Sequence, residues 1–374
     1  MTHLFSPLTL RGTTFVNRAW LAPMCQYSAV DGFVDDWHLV HLGARASGGF
    51  GLLLTEATAV VPQGRISPQD AGLWSDEHAT AWRRITDFVH ARGTRIGVQL
   101  AHAGRKASVY RPWSSSTGSV PADDGGWGTV APSAVAFPEL AVPSALSSDE
   151  VAALPGAFAE AARRAVAAGF DVVELHAAHG YLLHQFLSPL SNVRTDEWGG
   201  TFEGRARLLV ATVDAVRAVW PDDRPLLVRL SATDWVPGGL TADDVARVAG
   251  LLVGHGVDLV DVSTGGNALA AIPVEPGYQV PFARQVRAAG LPVAAVGLLD
   301  DPALAERVLA DGSADAVLVG RGALRDPSWP LRAAHRLGVR LGELPAAPEP
   351  ASSVPLAHVT TTGYQPQHVR GAYR

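Results

Sequence analysis

The chain has 374 residues, of which 47% are hydrophobic and 18% charged, a balance typical of a water-soluble globular protein. A net charge of -6 provides no basic surface for nucleic acid, and no apolar run approaches the roughly 20 residues of a membrane-spanning helix. The N-terminal segment lacks the charged head and apolar core of a signal peptide, so we expect a cytoplasmic protein. The single cysteine, Cys25, excludes an internal disulfide and a four-cysteine iron–sulfur or zinc site.

Short apolar runs alternate with segments of helical spacing along the chain. The predicted strands span residues 17–24, 51–57, 95–102, 170–177, 225–232, 257–264, 292–299 and 314–322. The predicted helices between them include residues 76–93, 147–170, 201–220, 241–256 and 301–313. Eight such units predict an α/β fold, a (β/α)8 TIM barrel, with its site at the C-terminal ends of the strands. The alternative, a doubly wound sheet, usually carries a glycine-rich fingerprint after its first strand, and "LAPMCQYS" is not one.

Two segments interrupt this alternation. Residues 111–147 follow the third strand and are too long for a structureless connection, so we expect a lid or hairpin excursion at the active face. The Pro- and Thr-rich C-terminal segment has no helical period, and it is either a disordered tail or an arm. We therefore expect one barrel domain over residues 1–338 and a linker and arm over residues 339–374.

Polar side chains occur at the ends of the predicted strands. They are Cys25, Glu56, Gln99, His102, His176, Arg229, Thr264 and Arg321. The interior of such a barrel prefers Val, Ile and Leu, so polar groups at several strand ends indicate catalysis or binding. Arg229 interrupts an apolar run, and a buried arginine requires an anionic or carbonyl partner. An isolated cysteine, in contrast, is most often a small buried hydrophobe.

The fourth predicted strand ends in the segment "ELHAAHGYLLHQF". If its apolar alternate residues face the helices, His176 faces the barrel mouth. His179 reaches the same mouth only if the chain turns, which Gly180 permits. The two imidazoles would then offer N–H donors to one acceptor, with the hydroxyl of Tyr181 beside them.

Two other interpretations of the histidine pair remain open. Histidines three residues apart can chelate a metal, with Glu174 or His184 as a third ligand, although no strong metal-binding spacing completes the set. Both histidines can also be structural residues with satisfied hydrogen bonds.

The seventh and eighth predicted strands end in "AVGLL" and "LVGRG". Glycines at these positions let backbone N–H groups approach an anion, and barrels commonly hold a phosphate there. Arg321 adds a guanidinium group suited to phosphate. The two strand ends therefore predict a phosphate site.

Several of these segments are familiar as a set. Together, "APMCQYS", "TEATAV", "GVQLAHAGRK", "ELHAAHGYLLHQFLSPLSNVRTDEWGG" and "VGRGALRDP" resemble the Old Yellow Enzyme family of flavin-dependent ene-reductases. The likeness is strongest to its bacterial class with a cysteine near the flavin, which includes xenobiotic reductases. The motifs occur in the order found in the family and cover most of the chain.

The resemblance implies a barrel that holds FMN without a covalent bond and uses NADPH or NADH as reductant. The reduced flavin would deliver hydride to the β-carbon of an activated alkene. The residues implied in FMN binding are Ala22, Pro23, Met24, Cys25, Ala57, Gln99, Arg229, Gly297, Gly320 and Arg321. Within this set, Cys25 would tune the flavin's redox behaviour, while Gln99 and Arg229 would contact its pyrimidine edge.

The resemblance also implies the roles of the substrate-binding residues. His176 and His179 would bind the substrate carbonyl oxygen, Tyr27 would help to position the substrate, and Tyr181 would protonate the α-carbon. The family assembles as homodimers or homotetramers, so we expect a small-molecule enzyme that is a homo-oligomer.

The C-terminal segment departs from the family pattern. Relatives of this class contribute a C-terminal arginine to a neighbouring subunit, commonly followed by Gly and Trp. Here "HVRGAYR" offers Arg370 and Gly371, but Ala372 occupies the position of the aromatic residue and Tyr373 follows it.

Two other functions are compatible with the same residues. One is a (β/α)8 metal-dependent hydrolase or lyase built on the histidine pair. The other is a barrel that binds FMN without turnover, as a sensor or storage protein. Flavin absorbance and metal analysis distinguish the first from an ene-reductase, and NADPH oxidation with cyclohexenone distinguishes the second.

If Arg370 reaches the site of a neighbouring subunit, a chain that ends before Arg370 should bind substrate more weakly. The expected result is a higher KM for an enone with no change in FMN content. Unaltered substrate affinity in the shortened enzyme would remove the idea.

Overall fold

Eight apolar strands of the computed structural model, which describes residues 2–339, pair in parallel and close into a barrel. In chain order the strands are β1 (Leu8–Leu10), β2 (Thr13–Phe15), β3 (Ala19–Leu21), β4 (Leu52–Ala59), β5 (Arg95–Ala101), β6 (Val130–Ala131), β7 (Ser144–Ala145), β8 (Val172–Ala177), β9 (Leu226–Ser231), β10 (Leu259–Ser263), β11 (Val293–Ala295) and β12 (Ala316–Val319). The barrel contains all of these except β1, β2, β6 and β7. Its last strand pairs with its first, with Val317 opposite Ala19. The predicted (β/α)8 barrel is therefore confirmed, and the doubly wound alternative is wrong.

Helices cover the outside of the barrel. They are α1 (Asp36–Ser47), α2 (Asp76–His90), α3 (Ser148–Ala168), α4 (Leu182–Leu187), α5 (Phe202–Arg217), α6 (Ala242–Leu252), α7 (Val280–Arg287), α8 (Pro302–Ala310), α9 (Arg321–Arg325) and α10 (Trp329–Arg336). Side-chain caps begin two of these helices: the Ser147 and Thr241 side chains accept hydrogen bonds from backbone N–H groups of the first turns of α3 and α6. The helix α3 ends at Gly169, which has the left-handed conformation that glycine favours.

Alternate residues of each barrel strand face the interior, and the layer nearest the strand starts is apolar. Trp20, Leu52, Val172 and Leu227 belong to one buried cluster inside the barrel. The N-terminal hairpin of β1 and β2 closes that end, because Phe15 packs against Trp20 with ring centroids 4.8 Å apart. The sequence did not predict this hairpin, since three-residue strands leave too short an apolar pattern to recognise.

Three predicted strands are shorter than expected. β3 ends at Leu21, β11 at Ala295 and β12 at Val319. After Ala295 the chain turns through Gly297, whose φ of 122° is accessible mainly to glycine. The apolar pattern continues past the strand ends into loop residues that pack on the core, such as Met24 and Leu299, so hydrophobicity alone could not locate those ends.

The predicted excursion lies between β5 and α3. It contains an antiparallel bridge between Val109 and Ser119, followed by the short parallel pair β6–β7. The backbone carbonyl of Val135 accepts a hydrogen bond from Arg105 at 3.1 Å, and the ring of Phe137 lies 4.7 Å from Lys106 Nζ. The excursion is therefore attached to residues at the mouth of the barrel.

The predicted C-terminal arm, including Arg370, lies outside the described residues apart from Val339. Within residues 2–339, no helix is both long enough and apolar enough to span a membrane.

Candidate active site

The residues His176, His179 and Tyr181 meet at the C-terminal end of β8. The ring centroids of His176 and His179 are 5.1 Å apart with an interplanar angle of 89°, and those of His176 and Tyr181 are 4.9 Å apart. The inward position of His176 follows from the alternation expected for the strand, because its neighbours Leu175 and Ala177 pack outward against the helices. The structure brings together the three residues that the sequence singled out.

Hydrogen bonds fix the orientation of both imidazoles. His176 Nδ1 accepts the Ala178 N–H at 3.3 Å, so a neutral His176 carries its proton on Nε2. That nitrogen lies 3.4 Å from His179 Nδ1. His179 Nε2 is 2.7 Å from the Ser263 hydroxyl, and its backbone N–H donates to Ser231 Oγ at 2.9 Å. Ser231 and Ser263 were not identified from the sequence; both are final residues of barrel strands, which is the only signal that could have found them.

The histidine pair is uncharged at neutral pH. Burial lowers the pKa of both His176 and His179 well below its usual value, and the Arg229 cation lowers it further. Burial also raises the pKa of Tyr181, so its hydroxyl keeps its proton. The mouth therefore presents three neutral groups that can each donate a hydrogen bond.

Cys25 and Tyr27 lie on the segment that crosses the mouth after β3. Cys25 and Tyr181 pack on one apolar cluster that includes Ala57 and Ile66. Burial raises the pKa of both the Cys25 thiol and the Tyr27 hydroxyl, and a negative charge on Cys25 would raise the pKa of Tyr27 further. Tyr27 has a φ of 52°, and His179 has a φ of 57°, which is uncommon for residues with side chains and is typical of functional sites.

Glu56 supports this segment from behind and does not face the mouth directly. A bulge between Leu54 and Ala57 interrupts the register of β4. One carboxylate oxygen of Glu56 accepts the Gln26 N–H at 2.9 Å, and the other lies 3.2 Å from His38 Nε2. Burial opposes a charge on His38, but Glu56 outweighs it and raises the pKa of this imidazole. The pair therefore holds the backbone next to Cys25.

A polar layer crosses the barrel interior beneath the histidines. Gln99 Nε2 donates to Glu174 Oε1 at 2.7 Å, and Arg229 Nε lies 2.9 Å from Asp261 Oδ2. Asp261 is the anionic partner that a buried Arg229 requires, and the sequence analysis missed it. Burial raises the pKa of Glu174, so we infer a protonated Glu174 beside an ionised Arg229–Asp261 pair, which leaves the layer without net charge.

A pocket of about 180 Å³ opens between the ends of the last strands. It is lined by the predicted Gly297, Gly320 and Arg321, and Arg229 forms one end. A side chain added at Gly320 would find its nearest atoms, Met24 Sδ and Ala22 Cβ, at 3.7 and 3.8 Å. Ala22 and Met24, on the segment after β3, therefore lie next to Gly320 at the edge of this pocket.

The other polar residues at strand ends form hydrogen bonds with residues other than His176, His179 and Tyr181. His102 Nδ1 accepts the Gly104 N–H at 3.1 Å, and the Thr264 hydroxyl donates to Gln279 at 2.7 Å. His184, considered as a metal ligand, accepts the Gly180 N–H at 2.9 Å, and its other nitrogen lies 3.0 Å from Asp234. Among residues 2–339, no three His, Cys, Asp or Glu side chains are grouped to hold a metal ion.

The sequence profile of the NADH:flavin oxidoreductase / NADH oxidase family matches residues 3–339. The chain belongs to this family. It is 48% identical over 344 residues to an NADPH dehydrogenase of Geobacillus thermodenitrificans, with 91% of this chain and 96% of the relative covered. Membership confirms the resemblance to Old Yellow Enzyme, and it makes the protein an oxidoreductase and not a metal-dependent hydrolase.

Two solved structures show the same barrel. Morphinone reductase in complex with tetrahydroNAD superposes with a TM-score of 0.76 at 29% identity, covering 100% of this chain and 98% of that one. An old yellow enzyme homologue from Zymomonas mobilis has a TM-score of 0.74 at 27% identity, covering 99% of each chain. The fold of this flavin oxidoreductase is therefore that of its relatives.

The cofactor of the family is FMN, and NADPH or NADH is the reductant. The residues present at the mouth fit such a group. Glu174 Oε2 is buried without a hydrogen-bond partner, and Arg229 Nε is poorly aligned for a hydrogen bond with Asp261 despite their contact. Buried polar atoms of this kind usually have a partner, and a polar cofactor edge supplies one.

Replacing Gly320 by alanine tests the pocket. The new methyl group meets no protein atom closer than 3.7 Å, and it would enter the space bordered by Arg321. The backbone at Gly320, with φ -96° and ψ -99°, lies outside the regions that residues with a side chain favour, so the melting temperature of the FMN-free protein should fall. We expect weaker FMN binding at a temperature at which the FMN-free variant is still folded, measured by flavin titration and thermal unfolding. Gly156→Ala on α3, where an added methyl also meets no atom within 4 Å, is the matched control. Equal FMN affinity in both variants would contradict the assignment.

Proposed function

We propose that this flavin oxidoreductase is an ene-reductase that acts on activated alkenes such as α,β-unsaturated carbonyl compounds. The observation that carries the proposal is the convergence of His176, His179 and Tyr181 at the mouth of the barrel. When bound, FMN accepts hydride from NADPH or NADH and supplies it to the β-carbon of the alkene. The side chains of the protein bind, orient and protonate the substrate.

The two histidines bind the carbonyl oxygen of the substrate. Addition of hydride to an enone builds negative charge on that oxygen, so preplaced N–H donors stabilise the transition state more than the ground state. His176 offers its Nε2 proton. For His179 to offer Nδ1–H to the same oxygen, the Ser263 hydroxyl must donate to His179 Nε2, 2.7 Å away, in place of Gln279 Oε1, 3.3 Å away. Ser263 would thus select the tautomer of His179.

Tyr181 supplies the proton to the α-carbon. Its hydroxyl stays protonated because burial raises its pKa, and it packs edge-on against His176, beside the site of the carbonyl oxygen. Tyr27, two residues after Cys25 on the segment that follows β3, helps to position the substrate from the opposite side of the mouth. Hydride and proton then add to adjacent carbons, and the saturated carbonyl compound leaves.

The remaining predicted residues hold FMN. We assign the ring to the segment Ala22–Cys25 and Ala57, the pyrimidine edge to Gln99 and Arg229, and the phosphate to Gly297, Gly320 and Arg321. The cation of Arg229 would stand where negative charge gathers on reduction, while Asp261 keeps it oriented. Cys25, with its thiol protonated, would tune the redox behaviour from the apolar cluster it shares with Tyr181.

Location and assembly complete the proposal. We assign the enzyme to the cytoplasm as a homodimer or homotetramer, in which Arg370 of one subunit contacts the substrate of its neighbour.

Replacement of His179 by alanine tests the donor role. One lost donor of this kind typically lowers the rate about 100- to 1,000-fold, so kcat/KM for cyclohexenone should fall by that order while FMN content stays constant. His255→Ala serves as the control, because this exposed histidine pairs with Asp214 on the outer helices. Unchanged steady-state turnover in the His179 variant would refute the donor role.

The pH dependence tests the charge state of the pair. Since the pKa of both imidazoles is lowered, they remain neutral as the pH falls through the usual histidine range near 6.5. We expect kcat/KM for an enone to show no acid limb at that pH. An acid limb that appears there in the parent enzyme and vanishes in His179→Ala would show that the pair titrates normally.

A further inference from the structure

The chain has 30 Lys and Arg residues, and Lys106 is its only lysine. Every other permanently basic position is therefore an arginine. The two side chains are not interchangeable, because lysine ends in a compact ammonium with three donors and arginine in a planar fork. A chain with such a strong preference for arginine has lysine at one position, on the loop that follows β5 and beside the histidine pair.

The ammonium of Lys106 bridges two loops of the mouth. It donates to the backbone carbonyl of His179 at 2.8 Å and to that of Gly266 at 2.8 Å. The loops approach each other closely at this point. A side chain added at Gly180 would lie 2.2 Å from the Gly266 oxygen, and one added at Gly266 would lie 2.6 Å from the His179 Cα. Where the loops meet, the backbone carbonyl groups of His179 and Gly266 lie close enough for one ammonium to donate to both.

Aromatic rings and a second cation complete the surroundings of the ammonium. It lies 5.1 Å from the ring centroid of Tyr181 and 4.7 Å from that of Phe137. Neighbouring Arg105 donates to the backbone carbonyl and side chain of Asn267, next to Gly266. Within residues 2–339, no carboxylate forms an ion pair with either cation.

We propose that Lys106 is a positioning residue, whose ammonium ties the carbonyl groups of His179 and Gly266 together and so holds the His179 imidazole in the mouth. The inference rests on the proposed function, which makes His179 a ligand of the substrate oxygen. His179 needs such support because its φ of 57° is unfavourable for a residue with a side chain. The same positive charge also favours the negative oxygen that forms on the substrate.

The charge of this residue is sensitive to pH. Burial lowers the pKa of Lys106 to about 8, and the Arg105 cation lowers it further. The titratable and charged groups that face it are Arg105, His176, His179 and Tyr181, and none of them is an anion at neutral pH. The ammonium is present below this pKa and is lost as the pH rises through it. The bonds to both carbonyl groups then weaken, and substrate affinity falls.

Two substitutions separate charge from packing. Lys106→Met keeps the aliphatic stem and removes the charge, and Lys106→Arg keeps the charge at all pH values. With FMN-loaded enzyme and saturating NADPH, we expect KM for cyclohexenone to rise about tenfold or more in the Met variant, since a hydrogen bond from a charged donor is lost. The Arg variant should recover part of this loss. In the parent enzyme, KM should rise through pH 8 or so, and in both variants this dependence should vanish.

The control for these variants is Arg83→Met, which removes a cation that donates to the backbone carbonyl of Ala167 on the outer helices. It should leave KM and its pH profile unchanged. Parent-like KM and an unchanged pH profile in Lys106→Met would overturn the inference, as would an equal rise of KM in Arg83→Met.

The single lysine also allows a direct measurement. Protein made with isotope-labelled lysine gives one side-chain ammonium signal by NMR, and its titration should have a midpoint near 8, the value expected for the buried cation. A midpoint at the ordinary lysine value would overturn the inference. If the midpoint is lowered but no enone is reduced, the proposed function fails, and with it the role given to Lys106 in substrate binding.

Discussion

The buried charge of Arg229 is the constraint around which the upper half of the barrel is organised. A guanidinium inside a barrel costs free energy unless it is paired, and Asp261 on the adjacent strand lies 2.9 Å from it. Its other strand neighbour in the register is His176, whose imidazole pKa is lowered first by burial and then by the same cation. The interior is therefore divided into an apolar layer, which includes Phe15 and Trp20, and a polar layer on the side of the barrel mouth.

Rigid positioning of the reacting groups follows from contacts between loops as much as from the strands. Glu56 fixes the backbone after Cys25, and Ser231 fixes the backbone of His179. Both of these hydrogen bonds are 2.9 Å long and start from a main-chain N–H. The backbone next to Cys25 and at His179 therefore has little freedom to move. Neutral donors that are already held in place need little reorganisation when negative charge forms on an oxygen to which they donate.

The barrel, its order of strands and the convergence of residues on β8 could be predicted from the sequence, because alternating apolar runs and one specific histidine motif carry that information. Other features lie outside any local pattern. In the sequence, Asp261 is a single acidic residue within an apolar strand. Its pairing with Arg229 depends on the register of two neighbouring strands in the barrel. The Lys106 contact depends on two loops far apart in the chain. The N-terminal hairpin is too short for its period to be recognised, and the ends of β3, β11 and β12 are obscured because apolar residues such as Met24 and Leu299 continue into the loops that follow.

The composition of the protein surface has a practical consequence. Because Lys106 is the only lysine in the chain and its amine is engaged by carbonyl oxygens, the exterior offers no side-chain amine to acylating reagents or aldehyde cross-linkers. A lysine-directed reagent that reacts with a side chain of this sequence therefore reacts at the mouth of the barrel. The extent of lysine labelling is thus a direct measure of how accessible the mouth is to small molecules.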